Sequence, residues 1–253
     1  MSAEKHDTVK PHPVLSGYYS TETERRECVD DMFDSSAVYY DRINSIMSFG
    51  SGKWYRRTAL IRAGLKEGCH VLDVGAGTGV VSVLSQEIVG ENGNVIAVDP
   101  SEGMLAVARE NGVKNITQGM GEKLPFPDNS FDFVTMGYAL RHVTDLAVLF
   151  SEYRRVLKPG GKILILEITK PKPGISYTLV KFYLKRIIPT VTLLFLGSAK
   201  AQRLMQYYWD TIEHCVPPET ILNTMKSCGL NDTQRHVAQG IFSEYTGVKP
   251  KTS

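Results

Sequence analysis

The chain lacks any apolar run approaching the roughly eighteen residues that a membrane-spanning helix needs. Its first ten residues are charged and polar where a secretory signal would be apolar, so a cytoplasmic protein is expected rather than an exported one. It is poor in cysteine, and Cys28, Cys69, Cys215 and Cys228 show neither CxxC nor metal-ligand spacing. Reduced, mostly packed thiols and no bound metal are expected. An excess of charge is also missing, since 29 lysines and arginines face 27 acids for a net charge of +2. A general nucleic-acid binder would carry a large basic surplus, so no nucleic-acid partner is expected. What charge there is lies unevenly: residues 152–205 hold eleven lysines and arginines against two acids, whereas residues 1–31 hold seven acids against four bases. An apolar fraction of 42% over 253 residues supplies a sizeable core, enough for one α/β domain with an added cap.

The chain is organised around His70-Val71-Leu72-Asp73-Val74-Gly75-Ala76-Gly77-Thr78-Gly79. A short apolar run suited to a central strand leads into alternating glycines, which turn sharply and let a ligand lie against the backbone. This is a nucleotide cradle. A dinucleotide fingerprint places its last glycine three residues after the second, but Gly79 follows Gly77 by two. About twenty residues on, a second strand ends in Asp99, whose carboxylate can accept from both hydroxyls of a ribose. That acid suits NAD as well as S-adenosylmethionine (SAM), and the tighter glycine spacing favours SAM.

Residues 1–27 are expected to be loose, because Pro11, Pro13 and Gly17 interrupt regular structure, with a capping box from Thr21 to Glu24 opening a helix toward Phe33. The apolar residues that follow, through Ile46, Met47 and Phe49, lie too far ahead of the first strand for the sheet and are expected to cover the edge of the cofactor cleft. A helix over 54–65 feeds the first strand. Strands are expected over 71–74, 95–98, 116–118, 131–136 and 162–168, alternating with helices over 79–89, 101–110 (capped by Ser101) and 145–157. Lys158-Pro159-Gly160-Gly161 stops the last of these helices. Continuous apolar strands separated by helices imply a parallel sheet covered on both faces, with ligands beyond the carboxyl ends of the strands.

Residues 170–214 break that rhythm. Dense apolar runs between Tyr177 and Leu196, punctuated by Lys181, Lys185, Arg186 and Pro189, suggest one amphipathic helix on each side of the proline. Such a cap packs on the domain, walls a pocket for a hydrophobic substrate, or lays its basic side on anionic lipid headgroups, and these readings are compatible. A helix over 218–228 and one or two strands complete the chain. In outline, residues 1–50 form an N-terminal helical lid, 51–169 the cofactor-binding α/β core, 170–214 a helical substrate cap and 215–253 the completion of the sheet.

Around the cradle, Thr78 and the amides near Gly77 and Gly79 face the amino-acid end of the cofactor, while Asp73 holds either the turn or, through a water, the cofactor ammonium. Met104 lies against the adenine or in the core, and Glu122 or the amide of Gly121 meets the base edge. The loop and strand entry at Phe126, Asp128 and Phe131 is too apolar for solvent alone and is expected to shield the adenine. Gly75, Ala76, Pro100 and Gly137 complete the expected cofactor shell. Methyl transfer from a sulfonium needs alignment and exclusion of water, and a carbon nucleophile must also lose a proton. Tyr138, Arg141, His142 and Glu167 stand at the mouth of the fourth and fifth strands, and Tyr40 and Asp41 could close over it. His142 titrates near neutrality when unperturbed and can serve as a base, or it is a half-exposed histidine at a helix start. Arg141 can steady a phenolate or enolate, or it forms a surface salt bridge.

Residues 73–79, with Asp99 and Leu124-Pro125-Phe126, resemble the class I SAM-dependent methyltransferases. A closer likeness is to the quinone-biosynthetic C-methyltransferases that act on demethylmenaquinone or on the polyprenyl benzoquinol intermediate of ubiquinone synthesis. It rests on Phe33-Asp34, Tyr40-Asp41 and Ser48-Phe49-Gly50 in the leader and on Leu140-Arg141-His142-Val143-Thr144-Asp145 after the fourth strand. Arg155-Val156-Leu157-Lys158-Pro159-Gly160-Gly161, Glu167, Pro171 and Tyr207 also match. The resemblance implies a Rossmann-like fold with a mostly parallel seven-stranded sheet, helices on both faces and a helical cap. It implies S-adenosyl-L-methionine as cofactor and methylation of a carbon on a hydrophobic aromatic or prenylated small molecule, such as a demethylated quinol. It places Arg141 and Tyr40 at the acceptor head group. With Asp41 and His142 they form the expected catalytic set, and Tyr138, Glu167, Phe182, Tyr207 and Tyr208 form the expected acceptor wall. The sequence departs from the family pattern at Met120, where an acid is usual, at Ala139, where glycine is, and at His142, where asparagine is. It departs again at Gln239 in the final glycine pair and at Tyr245, where a histidine is expected. Nitrogen or oxygen of a natural product is the alternative methyl acceptor. Peripheral membrane contact and pairing into a homodimer are left open.

Overall fold

The computed structural model describes residues 8–47 and 51–251, without the side chains at 22, 38, 42–47, 195 and 196, so the Ser48-Phe49-Gly50 motif and the side chains of Ile46 and Met47 lie outside what is described. Seven strands, β1 (His70–Val74), β2 (Asn94–Asp99), β3 (Asn115–Gln118), β4 (Phe131–Gly137), β5 (Leu157–Ile168), β6 (Asn231–Ala238) and β7 (Phe242–Val248), form one sheet. Its order is β3-β2-β1-β4-β5-β7-β6, parallel except for β7, which runs antiparallel to both neighbours. The mostly parallel, seven-stranded architecture expected from the sequence is the one observed.

The unalternated apolar pattern of the strands has its cause in two cores. Val71, Phe133, Leu164 and Leu166 enter one cluster, while Leu72, Val74, Val134, Met136, Ile163 and Ile165 enter the other. Successive residues of a strand point to opposite faces, so a strand covered on both sides has no polar position to offer. Burying an aliphatic side chain contributes about 1.5–3 kcal/mol, which ties the register of the central strands to the packing of the helices.

The helices are α1 (Glu22–Met47), α2 (Gly52–Arg62), α3 (Val80–Val89), α4 (Glu102–Glu110), α5 (Leu146–Val156), α6 (Ile175–Phe182), α7 (Ile188–Leu196), α8 (Ala199–His214) and α9 (Pro218–Ser227). The capping box forms at the start of α1: the Glu24 amide donates to Thr21 Oγ1 at 3.2 Å and the Glu24 carboxylate accepts from the Ser20 amide at 2.8 Å. The helix then continues for 26 residues instead of stopping near Phe33, because no glycine or proline interrupts it. The segment before it is not loose. Leu15, Tyr19 and His12 are buried, the Val9 carbonyl accepts from the Leu146 amide, and the Pro11 carbonyl accepts from the Val216 amide.

Two further expectations change. Lys158-Pro159-Gly160-Gly161 does not separate α5 from the strand but lies inside β5, where the ladder to β4 slips between the Phe131–Leu157 and Phe133–Lys162 pairs. In the cap, one π-helical turn over Tyr183–Ile187 joins α6 to α7, and Pro189 falls in the first turn of α7, where its missing N–H is tolerated. Helix α8, not expected from the sequence, buries Ala201, Leu204, Met205, Tyr207, Tyr208, Trp209, Thr211 and Ile212, a broad face that returns every three to four residues. Among the described residues no helix is long and apolar enough to cross a membrane. The sheet order reverses between β1 and β4, which leaves a crevice at their carboxyl ends.

Candidate active site

A cavity opens in that crevice. The cofactor-shell residues Gly75, Ala76, Gly77, Thr78, Asp99, Pro100, Met104, Gly121, Glu122 and Gly137 line it, whereas Asp73 and Gly79 do not. Gly77 sits at φ +55°, and a Cβ on it would meet nothing within 4 Å, so the loop presents bare backbone to open space. Gly79, at φ +80°, has a different duty: a Cβ there would run into the Val113 side chain and come 3.2 Å from Ala108 Cβ. It packs the loop against α4.

Asp99 closes the other side of the cradle. Its carboxylate accepts from the Gly77 amide at 2.8 Å and the Ser101 amide at 2.9 Å, leaving further lone pairs for ribose hydroxyls. Burial pushes its pKa up to about 6, against the pull of these two amides and with the help of Asp30 and Asp34. Ser101 caps α4 as expected, accepting from the Met104 amide at 3.0 Å, and so fixes Met104 in the cavity wall. Asp73 lies beneath the loop, where one oxygen accepts from Ser82 Oγ at 2.5 Å and the other, Oδ1, has no partner. Burial pushes it up to about 7, with Ser82 opposing and Asp99 adding. These residues fit SAM: bare backbone for the amino-acid end, a carboxylate for the ribose and Met104 against an apolar ring.

Glu122 is partly engaged, since its Oε1 accepts from the Thr144 amide at 2.7 Å and from Thr144 Oγ1 at 2.8 Å. Phe126, Asp128 and Phe131 do not line the cavity, contrary to expectation. Arg155 draws their loop toward the end of α5, donating to Leu124 O at 3.0 Å, Phe126 O at 2.7 Å and Asp128 at 2.9 Å, while the two phenylalanines pack edge to face at 5.2 Å.

The far wall comes from α1, α2 and the turn after β4. Arg26, Val29, Asp30, Phe33 and Tyr40 of α1 line it, with Arg56 of α2 and Tyr138, Ala139 and His142. Apart from Tyr40, the α1 residues were not anticipated as site residues. Their spacing marks one helical face, legible once the helix is carried past Phe33. Asp41, expected at the reacting group, instead accepts from Thr78 Oγ1 at 2.5 Å and from Asn111 Nδ2 at 2.9 Å, and it does not line the cavity. It clamps α1 to the glycine loop. Asp34 does the same for α4, accepting from Ser101 Oγ and, at 3.2 Å, from the Gly103 amide.

Arg141 is placed differently from expectation. It is fully buried and outside the cavity lining. Its Nε lies 3.0 Å from Glu167 Oε1, its Nη atoms donate to Thr211 Oγ1 at 3.3 Å and to Tyr138 O at 3.3 Å, and its guanidinium covers the Tyr208 ring at 4.4 Å. Burial pushes Glu167 up from the carboxylate range while Arg141 pulls it down. Because a guanidinium keeps its proton, the two form a buried ion pair that ties the turn after β4 to β5 and α8. Glu167 and Tyr208 are consumed by this packing, Tyr207 is buried against His142, none of the three lines the cavity, and Phe182 stands on the outside of the cap with 59% of its surface exposed. Of the expected acceptor wall, Tyr138 alone lines the cavity. Its φ of +63° is unusual for a residue with a Cβ, and its amide is held by Leu166 O at 2.8 Å while Arg56 covers its ring at 4.8 Å.

His142 stands in the wall between Phe33, edge-on at 5.1 Å, and Tyr207, stacked at 5.6 Å. Both ring nitrogens are closed to solvent and neither has a partner. Burial, then Arg141, His12 and Arg25, hold its pKa well below the usual value. The expected base near neutrality is therefore a neutral imidazole, with one nitrogen to accept a hydrogen bond and one N–H to donate.

Residues 20–249 match the model of the ubiE/COQ5 methyltransferase family. The chain is 35% identical to the ubiquinone/menaquinone biosynthesis C-methyltransferase UbiE of Shewanella piezotolerans, over 94% of this chain and 98% of that one. It is 36% identical to UbiE of Saccharophagus degradans, over 88% and 91%. Among solved structures, a SAM-dependent methyltransferase from Aquifex aeolicus superposes with a TM-score of 0.57 at 24% identity, covering 77% of this chain and 89% of that one. Phosphoethanolamine N-methyltransferase 2 of Haemonchus contortus, in complex with SAM, gives 0.59 at 22% identity, covering 86% and 57%. These two likenesses speak for the Rossmann-like fold alone. A glycine loop and a buried carboxylate lining one cavity, with a family match across nearly the whole length, lead to one conclusion: the chain belongs to the ubiE/COQ5 methyltransferase family and is a SAM-dependent methyltransferase.

Proposed function

We propose that the methyl acceptor is a hydrophobic aromatic ring of the quinol type and that the methyl group goes to a ring carbon. The observation that carries this reading is the apolar, aromatic slot beside the cofactor loop, walled by Val29, Phe33, Tyr138 and the ring of His142. A slot of this composition is suited to a flat, largely apolar ring. The names of the UbiE relatives point to the same chemistry.

Bound SAM supplies an electrophilic methyl on a sulfonium, whose leaving group is already good. The chain has to orient the ring, keep bulk water from the sulfonium and allow two proton movements, one from the ring hydroxyl and one from the ring carbon that takes the methyl group, with one transient negative charge. Val29, Phe33 and Tyr138 make the apolar wall. The neutral ring of His142, its nitrogens closed off, is part of that wall and takes no proton, so the ring hydroxyl gives its proton to water at the mouth. The ring carbon that takes the methyl group then loses its own proton, which returns to the oxygen through the same water and restores the aromatic ring. Arg141 cannot neutralise the resulting phenolate, since Glu167 already does that for Arg141 behind the wall. Arg56, which lines the cavity and has no ion pair among the described residues, is the cation placed to do so.

Replacing Arg56 with Gln is expected to lower kcat/KM for a demethylated quinol by about tenfold to a hundredfold, the worth of one hydrogen bond to a charged group. SAM affinity should stay within about twofold, as Arg56 does not belong to the cradle. Loss of SAM binding with unchanged acceptor kinetics would contradict the assignment.

A further inference from the structure

We infer that the outer face of the cap, Ile175, Leu179 and Phe182 of α6 together with Leu194 of α7, docks on an anionic lipid bilayer. The argument does not depend on which acceptor is methylated. Helix α6 is apolar on two sides. Its inner side is spent on the fold: Tyr177 packs on Trp209 at 6.3 Å and donates to Glu213 at 2.6 Å, Val180 joins the core, and Leu184 and Ile188 are buried just beyond. The outer residues lie at i, i+4 and i+7, one face of a helix, and are 82%, 63% and 59% exposed, with Leu194 at 75%. A row of large apolar side chains exposed along one helix face, as on α6, is rare on a protein that works free in solution.

The charge around that face selects its occupant. Between Lys170 and Arg203 the sequence places seven lysines and arginines and no acid. Lys181, Lys185 and Lys200 are answered from elsewhere by Glu213, Asp210 and Asp31, but Lys172 and Arg186 are exposed and have no ion pair among the described residues. Exposed apolar side chains flanked by unanswered cations suit a layer of acyl chains under acidic headgroups better than a second copy of the same cap, which would bring the cations together. Helix α7 touches α1, whose inner face walls the cavity, so the cap face is linked to the cavity wall through a single helix contact.

The test is vesicle flotation of the full chain, without acceptor, on phosphatidylcholine vesicles with and without a third of phosphatidylglycerol. Wild type should float with the anionic vesicles, at least about tenfold more than with neutral ones, and the partition should fall as salt is raised. Leu179→Glu/Phe182→Glu and, separately, Lys172→Glu/Arg186→Glu should each reduce the partition by at least about tenfold. SAM affinity and the melting temperature should not change, since these side chains hold no part of the fold or the cradle. Wild type that ignores anionic vesicles, or floats equally with neutral ones, overturns the inference. So does a dimer in light scattering that Leu179→Glu/Phe182→Glu splits, because a second copy would then be what covers the face.

Discussion

Replacing Arg141 by Met separates two accounts of this residue, one catalytic and one structural. In the structure Arg141 is sealed from the cavity, and its removal leaves the Glu167 carboxylate buried without its cation and strands the carbonyl of Tyr138. Removing one partner of a buried ion pair costs about 3–5 kcal/mol. For a chain of this size each kcal/mol lowers the melting temperature by about 2–4 °C, so a fall of about 10 °C is expected. The paired change Arg141→Met/Glu167→Leu takes away both charges and keeps the volume, and it should recover most of that loss. The assay is thermal unfolding by circular dichroism, with methyl-transfer kinetics measured well below the melting point. Activity should return with stability in the double variant. If Arg141→Met melted within about 2 °C of wild type, or if the double variant regained stability while kcat stayed about a hundredfold down, the guanidinium would be acting on the acceptor.

Gly77→Ala and Gly79→Ala should fail in different ways. Alanine at 77 accepts a left-handed φ at a cost of about 1 kcal/mol and aims its Cβ into open space, so the protein folds and SAM titration shows weakened binding. Alanine at 79 meets Val113 and Ala108, so the loss appears in the unfolding curve. SAM affinity should fall as pH drops below about 6, by up to tenfold per unit, because the free enzyme then protonates the Asp99 carboxylate that ribose hydroxyls need. The same raised pKa means the native state binds this proton more tightly than the unfolded chain, so Asp99 removes stability from the free protein as pH climbs from about 4 to about 6. Calorimetric titration across that range should show the affinity step in wild type and its absence in Asp99→Asn, which binds SAM weakly throughout.

What could be read from the sequence was what local chemistry decides. A glycine loop between two apolar strands admits few conformations, and an acid at the end of the second strand can reach only the crevice, so the cradle from Gly75 to Thr78 and Asp99 was legible. Helix periodicity tells which residues share a face but not which face is packed, and α6 is apolar on both, so Phe182 was assigned to the acceptor wall and is found outside. Arg141 and Glu167 are both plausible site residues until it is seen that they answer each other in the dark, a pairing made by β5 and α8 that no local pattern announces. The inner face of α1 was missed for the opposite reason. The prolines ahead of it suggested a loose leader, whereas the uninterrupted run after Thr21 was itself sufficient for one long helix.

The central claim is methyl transfer to carbon on a quinol-type ring. It is tested most directly by incubating the purified enzyme with SAM carrying a carbon-13 methyl group and a short-chain demethylated quinol, then locating the label by NMR. A new methyl resonance bonded to a ring carbon is the predicted result. Label on oxygen or nitrogen, or turnover confined to acceptors without a quinol ring, would contradict the account.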